Sequence, residues 1–398
     1  MSSRWSTCTA RSPRPSTPRW RSWRSSSSNA THETPDSRPL PCNLSGAGSS
    51  TAPTGEEGPV ATSGQDVTQD DVARVAGVSR SLVSLALNGS PKVAAETRRR
   101  IAETATTLGY RVNAAAASLA RQRSRTIGLV LPNLRNAFFE QIAHTLGDAT
   151  GARDLALFVT VGSDRPEVLH RAVESLLSVR VIGLILVSPW LPDEDLIAIG
   201  EEVPVCLIGR RSPGGSVDSV RVDEEAAARL LVGHLAELGM RSVGYVGPRV
   251  VNDTSRFERE SALRFAAQAA GLTLDVRECD EDAGPAVRDM LRSRHEPLGL
   301  VIHNDILAID AVPVLRETDR HPGIDVALVS YDNTYLARRG EFSLTSIDQP
   351  EDVLGTTAVR LLCERAEEGT TSAGSPRDVV LEPALVIRGS SEPDRVCG

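Results

Sequence analysis

Lysine is almost missing from this chain. Lys92 is the only one, and arginine carries the rest of the positive charge, a usage that reflects a GC-rich genome more than a function. Aromatic residues make up 4% of the sequence, so few rings are available to stack on a pyranose. No apolar run is long enough to span a bilayer, and the first residues lack the apolar core of a secretory signal. The six cysteines are scattered, none in a C-x-x-C pair, which fits reduced thiols in a cytoplasmic protein. There is no G-x-S-x-G elbow, no G-x-G-x-x-G turn, no phosphate-binding loop and no H-E-x-x-H. The seven histidines show no metal-ligand spacing. These absences argue against an enzyme, and no metal or cofactor is expected.

What is present is unevenly charged. The net charge of -8 divides into about +2 before Val67, +6 over residues 67–125 and -16 beyond, a basic part that suits nucleic acid on an acidic body that keeps it soluble. Residues 1–66 are rich in Ser, Arg, Pro and Thr without apolar periodicity, a composition that predicts disorder or a start codon assigned too far upstream.

The stretch Val67 to Asn88, VTQDDVARVAGVSRSLVSLALN, reads as two helices sharing a turn. Thr68 followed by Asp71 is a capping-box start. Val72, Ala73 and Ala76 recur at helical spacing, and Gly77 supplies the positive φ of a tight turn. Ser79 is placed to cap a second helix carrying Leu82, Val83, Ala86 and Leu87, which Asn88-Gly89 ends. A third helix follows, with Ile101, Ala105 and Leu108 inward and Gly109 closing it. Such a helix-turn-helix docks its second helix in the major groove.

From Val67 to Ala120 the chain resembles the DNA-binding head and hinge of the LacI/GalR family of bacterial transcription regulators. Thr68, Val72, Ala76-Gly77-Val78-Ser79, Val83-Ser84, Asn88, Leu108-Gly109-Tyr110 and Asn113 carry the likeness. The resemblance implies DNA contacts at Thr68, Ser79, Arg80, Ser81, Ser84, Leu85 and Asn88. It also implies hinge contacts from Asn113, Ala116 and Leu119, with the paired Leu119 side chains wedging a base step in the minor groove. The chain departs from the family at Leu82, often threonine, and at Leu85, often a base-contacting arginine. Leu85 offers only apolar contact, as to a thymine methyl. Arg80 and Ser81 therefore become the candidate base readers, although Arg80 is equally suited to a phosphate. Lys92 and Arg98 are candidates for the DNA backbone. Val112 replaces a common proline, so the hinge helix starts less sharply.

After the linker RQRSR the pattern changes. TIGLVLPN, LALFVTVGS, IGLILVS, VPVCLIG, RSVGYVGP, LGLVIHND and DVALVSYD read as buried strands separated by amphipathic helices. That alternation predicts parallel sheets covered on both faces, and about 260 residues fit two α/β lobes better than one sheet. Ligands of such sheets bind beyond the carboxyl ends of the strands. The likeness continues to about Ser390 and implies the fold of periplasmic sugar-binding proteins. The expected organisation is an extension over 1–66, an all-α head over 67–111, a hinge and linker over 112–125, a two-lobed effector and dimerisation domain over 126–390, and a tail over 391–398.

Strand ends supply the cleft candidates Phe139, Ser188, Trp190 and Arg210 from the first lobe. The second lobe supplies Arg259, Asn304, Asp332 and Gln349, which the resemblance places at the family's effector contacts. Their chemistry suits a polar ligand, with amides and carboxylates for hydroxyls and arginine as a rigid donor fork. Asp305 reads as a helix cap and His303 as a hydrogen-bonded wall residue. NAFF stands where the family has NPFF, and Ala262 where it has glycine.

The resulting expectation is a cytoplasmic repressor. It would be a homodimer on palindromic operator DNA, its affinity set by a sugar or another small polar metabolite such as a purine in the cleft. A solute-binding sensor and an α/β enzyme are the rival classes. The DNA-binding head opposes the first and the absent motifs oppose the second.

Overall fold

The computed structural model describes residues 67–87, 90–110, 124–163, 165–249, 253–293, 298–368 and 374–392. They fall into two units, a head and a body. The proposed extension, the hinge residues Asn113, Ala116 and Leu119, and Asn88 all lie outside the described residues.

The head holds α1 (Gln69–Ala76), α2 (Arg80–Leu87) and α3 (Ala95–Thr107). The Thr68 hydroxyl accepts from the Asp71 N–H while the Asp71 carboxylate accepts from Thr68, a reciprocal cap. Those bonds, led by the one from the Thr68 hydroxyl, hold the Asp71 carboxyl down at about 2. Gly77 ends α1 at φ 65°, where a β-carbon would strain the backbone. Val72, Ala73, Val83, Ala86, Val93, Ile101 and Ala105 form one small core.

The body contains two six-stranded sheets. In the N-terminal lobe are β1 (Thr126–Leu131), β2 (Ala156–Val161), β3 (Gly183–Val187), β4 (Val205–Ile208) and β5 (Asp218–Val222), flanked by α4 (Ala137–Gly151), α5 (Pro166–Ser178) and α6 (Asp193–Glu202). The chain then crosses to the C-terminal lobe with α7 (Glu224–Glu237), β6 (Ser242–Pro248), α8 (Thr254–Ala269), β7 (Thr273–Cys279), α9 (Gly284–Arg292), β8 (Leu298–Ile302), α10 (Asp305–Glu317), β9 (Val326–Tyr331) and β10 (Thr345–Asp348). It returns for α11 (Glu351–Glu368) and β11 (Asp378–Leu381), and crosses once more for β12 (Ala384–Val386). The orders are β11-β5-β4-β3-β1-β2 and β12-β10-β9-β8-β6-β7. Every pairing is parallel except β10 with β12. Each sheet is covered on both faces, giving four apolar clusters.

Helix α11 packs against α4 in the N-terminal lobe. Gly355 permits the crossing, since a β-carbon there would fall 2.7 Å from Thr145 Cγ2. The fully buried Asp218 ties α11 and β11 to β5: Arg365 grips it at 2.6 and 2.8 Å, and the Arg377 N–H donates to it at 2.7 Å. Burial pushes the Asp218 carboxyl up, but these donors outweigh it and hold the group below its usual value. Five strands were not expected from the sequence: β5, β7, β10, β11 and β12.

Candidate functional site

All ten strands from β1 to β10 end on one cavity of about 460 Å³ between the lobes. The N-terminal lobe supplies Asn133, Asn136, Phe138, Phe139, Ser188 and Trp190. The C-terminal lobe supplies Arg249, Asp253, Glu258, Arg259, Asp332 and Gln349, among others. Three residues on its wall hold positive φ: Ser188 at 38°, Gly209 at 70° and Asp332 at 97°. For Asp332, with a side chain, that backbone is strained, a state that persists where surrounding structure enforces it.

Asp332 is the centre of the arrangement. It is 4% exposed, accepts from Asn136 Nδ2 at 2.8 Å across the cleft, and accepts from Gln349 Nε2 at 2.6 Å. Burial, reinforced by the charge of Asp305, pushes its carboxyl up to about 7, although Arg259 and the two amides pull the other way. Asn136 also caps α4, its Oδ1 accepting from the Phe138 N–H at 3.0 Å. The lobes are bridged again where the Ser255 hydroxyl donates to the Gly209 carbonyl at 2.5 Å, and by the ion pairs Arg135–Glu281 and Arg211–Glu258.

Arg259 lines the cavity as expected, but its guanidinium is committed. It forks onto Glu224 at 2.8 and 3.1 Å, donates to the His303 carbonyl at 2.6 Å, and lies 3.6 Å from the centroid of the Tyr331 ring. Burial opposes its charge, yet Glu224 more than offsets that and holds it above its ordinary value. His303 is the hydrogen-bonded wall residue the sequence suggested, its Nδ1 2.8 Å from the Tyr245 hydroxyl. Burial, aided by Arg259 and Arg256, keeps it neutral.

Two assignments need correction. Arg210 does not line this cavity: its guanidinium donates to the carbonyls of Pro189 and Leu191 and to Asp193, bracing the loop after β3. The turn at Gly209 directs it there, and Arg221 from β5 occupies the wall instead. The cap of α10 is Asn304, whose Oδ1 accepts from the Leu307 N–H at 3.0 Å. Asp305, read as that cap, is fully buried and accepts from Ser330, Ser346 and both donors of Thr334. Asn304 still lines the cavity, as do Phe139, Ser188, Trp190 and Gln349. Sequence reasoning missed Asp253, which caps α8 and is 3% exposed, and Glu258 one turn further on. The N-D-T start of α8 was the available signal for the first.

In the head, Arg80, Ser81 and Leu85 share the exposed face of α2, opposite buried Val83 and Ala86. Ser79 caps the helix, its hydroxyl accepting from the Leu82 N–H at 3.3 Å and lying 2.9 Å from that of Ser81. Arg98 was expected on the DNA backbone. Its Nη2 instead donates to the carbonyls of Ser90 and Val93 at 3.0 Å, closing the loop before α3.

Comparisons with known proteins follow the same division. Residues 68–113 match the lacI family of bacterial regulatory proteins, and residues 232–391 match a periplasmic binding protein-like domain. Catabolite control protein A of Staphylococcus xylosus is 30% identical over 337 residues, covering 82% of this chain and 99% of that protein. The lac repressor dimer bound to operator and the anti-inducer ONPF superposes with a TM-score of 0.72 at 28% identity, over 82% of this chain and 100% of that one. The regulator CelR in complex with cellobiose gives 0.60 at 28% identity, over 81% and 99%. A helix-turn-helix head on a two-lobed cleft, matched along nearly the whole length of such relatives, shows that the chain belongs to the LacI family of DNA-binding transcription regulators and is not an enzyme.

Proposed function

We propose that this chain is a cytoplasmic repressor that binds palindromic operator DNA as a homodimer and responds to a sugar or related polar metabolite in the interlobe cavity. The cavity carries this reading, because it gathers buried hydrogen-bonding groups and a half-buried indole at the carboxyl ends of both sheets. The similar lac repressor dimer holds operator, and CelR holds cellobiose. No helix among the described residues is long and apolar enough to cross a membrane.

The edge strand β2 supports the dimer. Phe158, Val159 and Val161 are 43%, 47% and 39% exposed on a strand paired on one side only, an apolar edge that a second copy would cover. Arg80, Ser81, Ser84 and Leu85 are the proposed base-facing side chains, with Thr68, Ser79 and Asn88 beside them. Asn113, Ala116 and Leu119 are assigned to the hinge. Phe139, Ser188, Trp190, Arg259, Asn304, Asp332 and Gln349 are assigned to the effector.

Selection of bound sequences from random DNA supplies the operator. Fluorescence anisotropy with and without candidate effectors then tests the coupling, which requires different affinity in two states. Asp332→Ala leaves operator affinity intact and removes the effector response, whereas Leu119→Ala weakens operator binding and leaves effector binding to the DNA-free protein unchanged. A folded Asp332→Ala protein that responds at the wild-type effector concentration sinks the cleft assignment. Arg80→Ala weakens specific binding by about 1–3 kcal/mol and relaxes one base position. Uniform weakening on all sequences instead makes Arg80 a phosphate contact.

A further inference from the structure

The charge of the cavity is lopsided. Four arginines line it, and each is already engaged: Arg259 with Glu224, Arg221 with Asp378, Arg249 with Glu278, and Arg135 with Glu281. The Arg259–Glu224 and Arg221–Asp378 pairs are buried or half-buried, so an anionic ligand that drew on either guanidinium would compete with its carboxylate, and stripping a partner from a buried pair is costly; the Arg249–Glu278 and Arg135–Glu281 pairs are exposed.

The carboxylates are not matched in the same way. Asp253 and Asp332 are 3% and 4% exposed, and neither makes an ion pair within 4 Å among the described residues. Asp253 accepts from the Arg256 backbone N–H at 3.0 Å; Asp332 accepts from two neutral amides. Among the described residues Glu258 makes one ion pair, with the exposed guanidinium of Arg211 at 3.5 Å. Burial holds all three carboxyl groups above their usual range, and the surrounding arginines do not reverse it. Opposite them stand the rings of Phe138, Phe139 and Trp190, which can cover a ligand's apolar face.

We propose that the cavity selects a hydroxyl-bearing ligand that also carries a protonated amine, an amino sugar or amino polyol in class, and rejects phosphorylated and carboxylated ligands. This rests on the cleft being the effector site. A hydroxyl group satisfies a carboxylate's lone pairs but leaves its charge buried. An ammonium group supplies the missing charge with three donors, and charge-assisted bonds are about twice as strong as neutral ones. Aromatic walls add to the attraction for a cation.

The test is calorimetric titration of the full chain with matched sets: glucose, galactose and mannose, each as the neutral hexose, the 2-amino-2-deoxy sugar and the 6-phosphate. In at least one set the amino sugar binds roughly tenfold or more tighter than the neutral form, and no 6-phosphate binds, as expected for a charge-assisted contact. The paired change Asp253→Asn with Glu258→Gln brings the amino-to-neutral ratio close to one. A 6-phosphate that binds, an amino sugar no tighter than its neutral partner, no binding by any amino sugar at millimolar concentration, or a ratio unmoved in the double variant overturns the proposal. Trp190→Ala separates this from failure of the cleft reading. Where amino sugars show no advantage in the wild type, neutral-sugar binding lost in that variant keeps the cleft and removes only the amine preference. Binding undiminished in that variant removes the cleft itself.

Discussion

Strand for strand the two lobes correspond: β1 to β6, β2 to β7, β3 to β8, β4 to β9 and β5 to β10 occupy the same places in their sheets. The side chains at those places do not. At the cleft, the N-terminal lobe offers amides, aromatic rings and two arginines, Arg135 and Arg221, while the C-terminal lobe offers Arg249, Arg259 and the carboxylates, Asp253, Glu258 and Asp332 among them. At the outer edge the contrast runs the other way. β7 carries Asp275, Arg277 and Glu278, charges that discourage pairing with another chain, whereas β2 exposes Phe158, Val159 and Val161. One backbone plan thus serves two tasks, because the sheet order fixes where strand ends and edges lie and the residues placed there decide what each meets.

Removing the anchor of the charged wall has the largest expected effect. Glu224→Ala leaves the Arg259 guanidinium buried without its partner and lowers unfolding free energy by about 3–5 kcal/mol, read by urea denaturation. A loss below about 1 kcal/mol would show that water or another carboxylate replaces Glu224, and the two cleft walls would then differ less than their side chains suggest.

The edges come next. Phe158→Asp places a charge on the apolar edge and weakens self-association by about 2 kcal/mol or more, measured by sedimentation equilibrium. Arg277→Ala on the matching strand shifts it by less than about 0.5 kcal/mol. Equal effects at both edges erase the distinction.

The last effect is a slope with pH, gradual within any one unit. In the folded protein the Asp332 carboxyl is pushed up to about 7, whereas an unfolded chain releases that proton near pH ~3.9. Between those values the native state binds more protons, so this group makes stability fall as pH rises and contributes no further change above the window. Asp332→Asn removes at most about 1.4 kcal/mol per pH unit of that fall and is more stable than wild type at pH 8, by thermal melts across pH. An unchanged slope means that the carboxyl is ionised throughout.

Much of this was legible beforehand where apolar runs are uninterrupted. The strands GLILV and LGLVI announce themselves, and so do the cap at Thr68 and the turn at Gly77. The strands missed are those that carry charge, such as β5 and β7, or are four residues or fewer, such as β10, β11 and β12. DSVRV is a strand because Arg365 and Arg377 neutralise Asp218 and Asp378 neutralises Arg221, partners more than a hundred residues away. The cleft was legible as a set of strand ends, and Asp332, Gln349 and Trp190 fall on it. Which arginine faces it was not, since a single φ of 70° at Gly209 turns Arg210 away. Nor could spacing reveal that the guanidinium of Arg259 is already occupied, because Glu224 lies 35 residues earlier.

The chain crosses between the lobes three times, and this sets an order on synthesis. The head is contiguous, so its three helices can close on their core as soon as Tyr110 has emerged. The N-terminal lobe cannot do the same. Its sheet is left with the outer side of β5 open, and its helix layer open beside α4, until α11 and β11 arrive from the far end of the sequence. At ~5–20 residues per second that wait is on the order of ten seconds. Throughout it a six-stranded sheet stands one strand short, with Asp218 and Arg221 of β5 still without the partners that neutralise them. A nascent chain of this protein is therefore most open to mispairing and to chaperones after its DNA-reading part is complete, and a message cut short before α11 would yield a folded head on a body that cannot close.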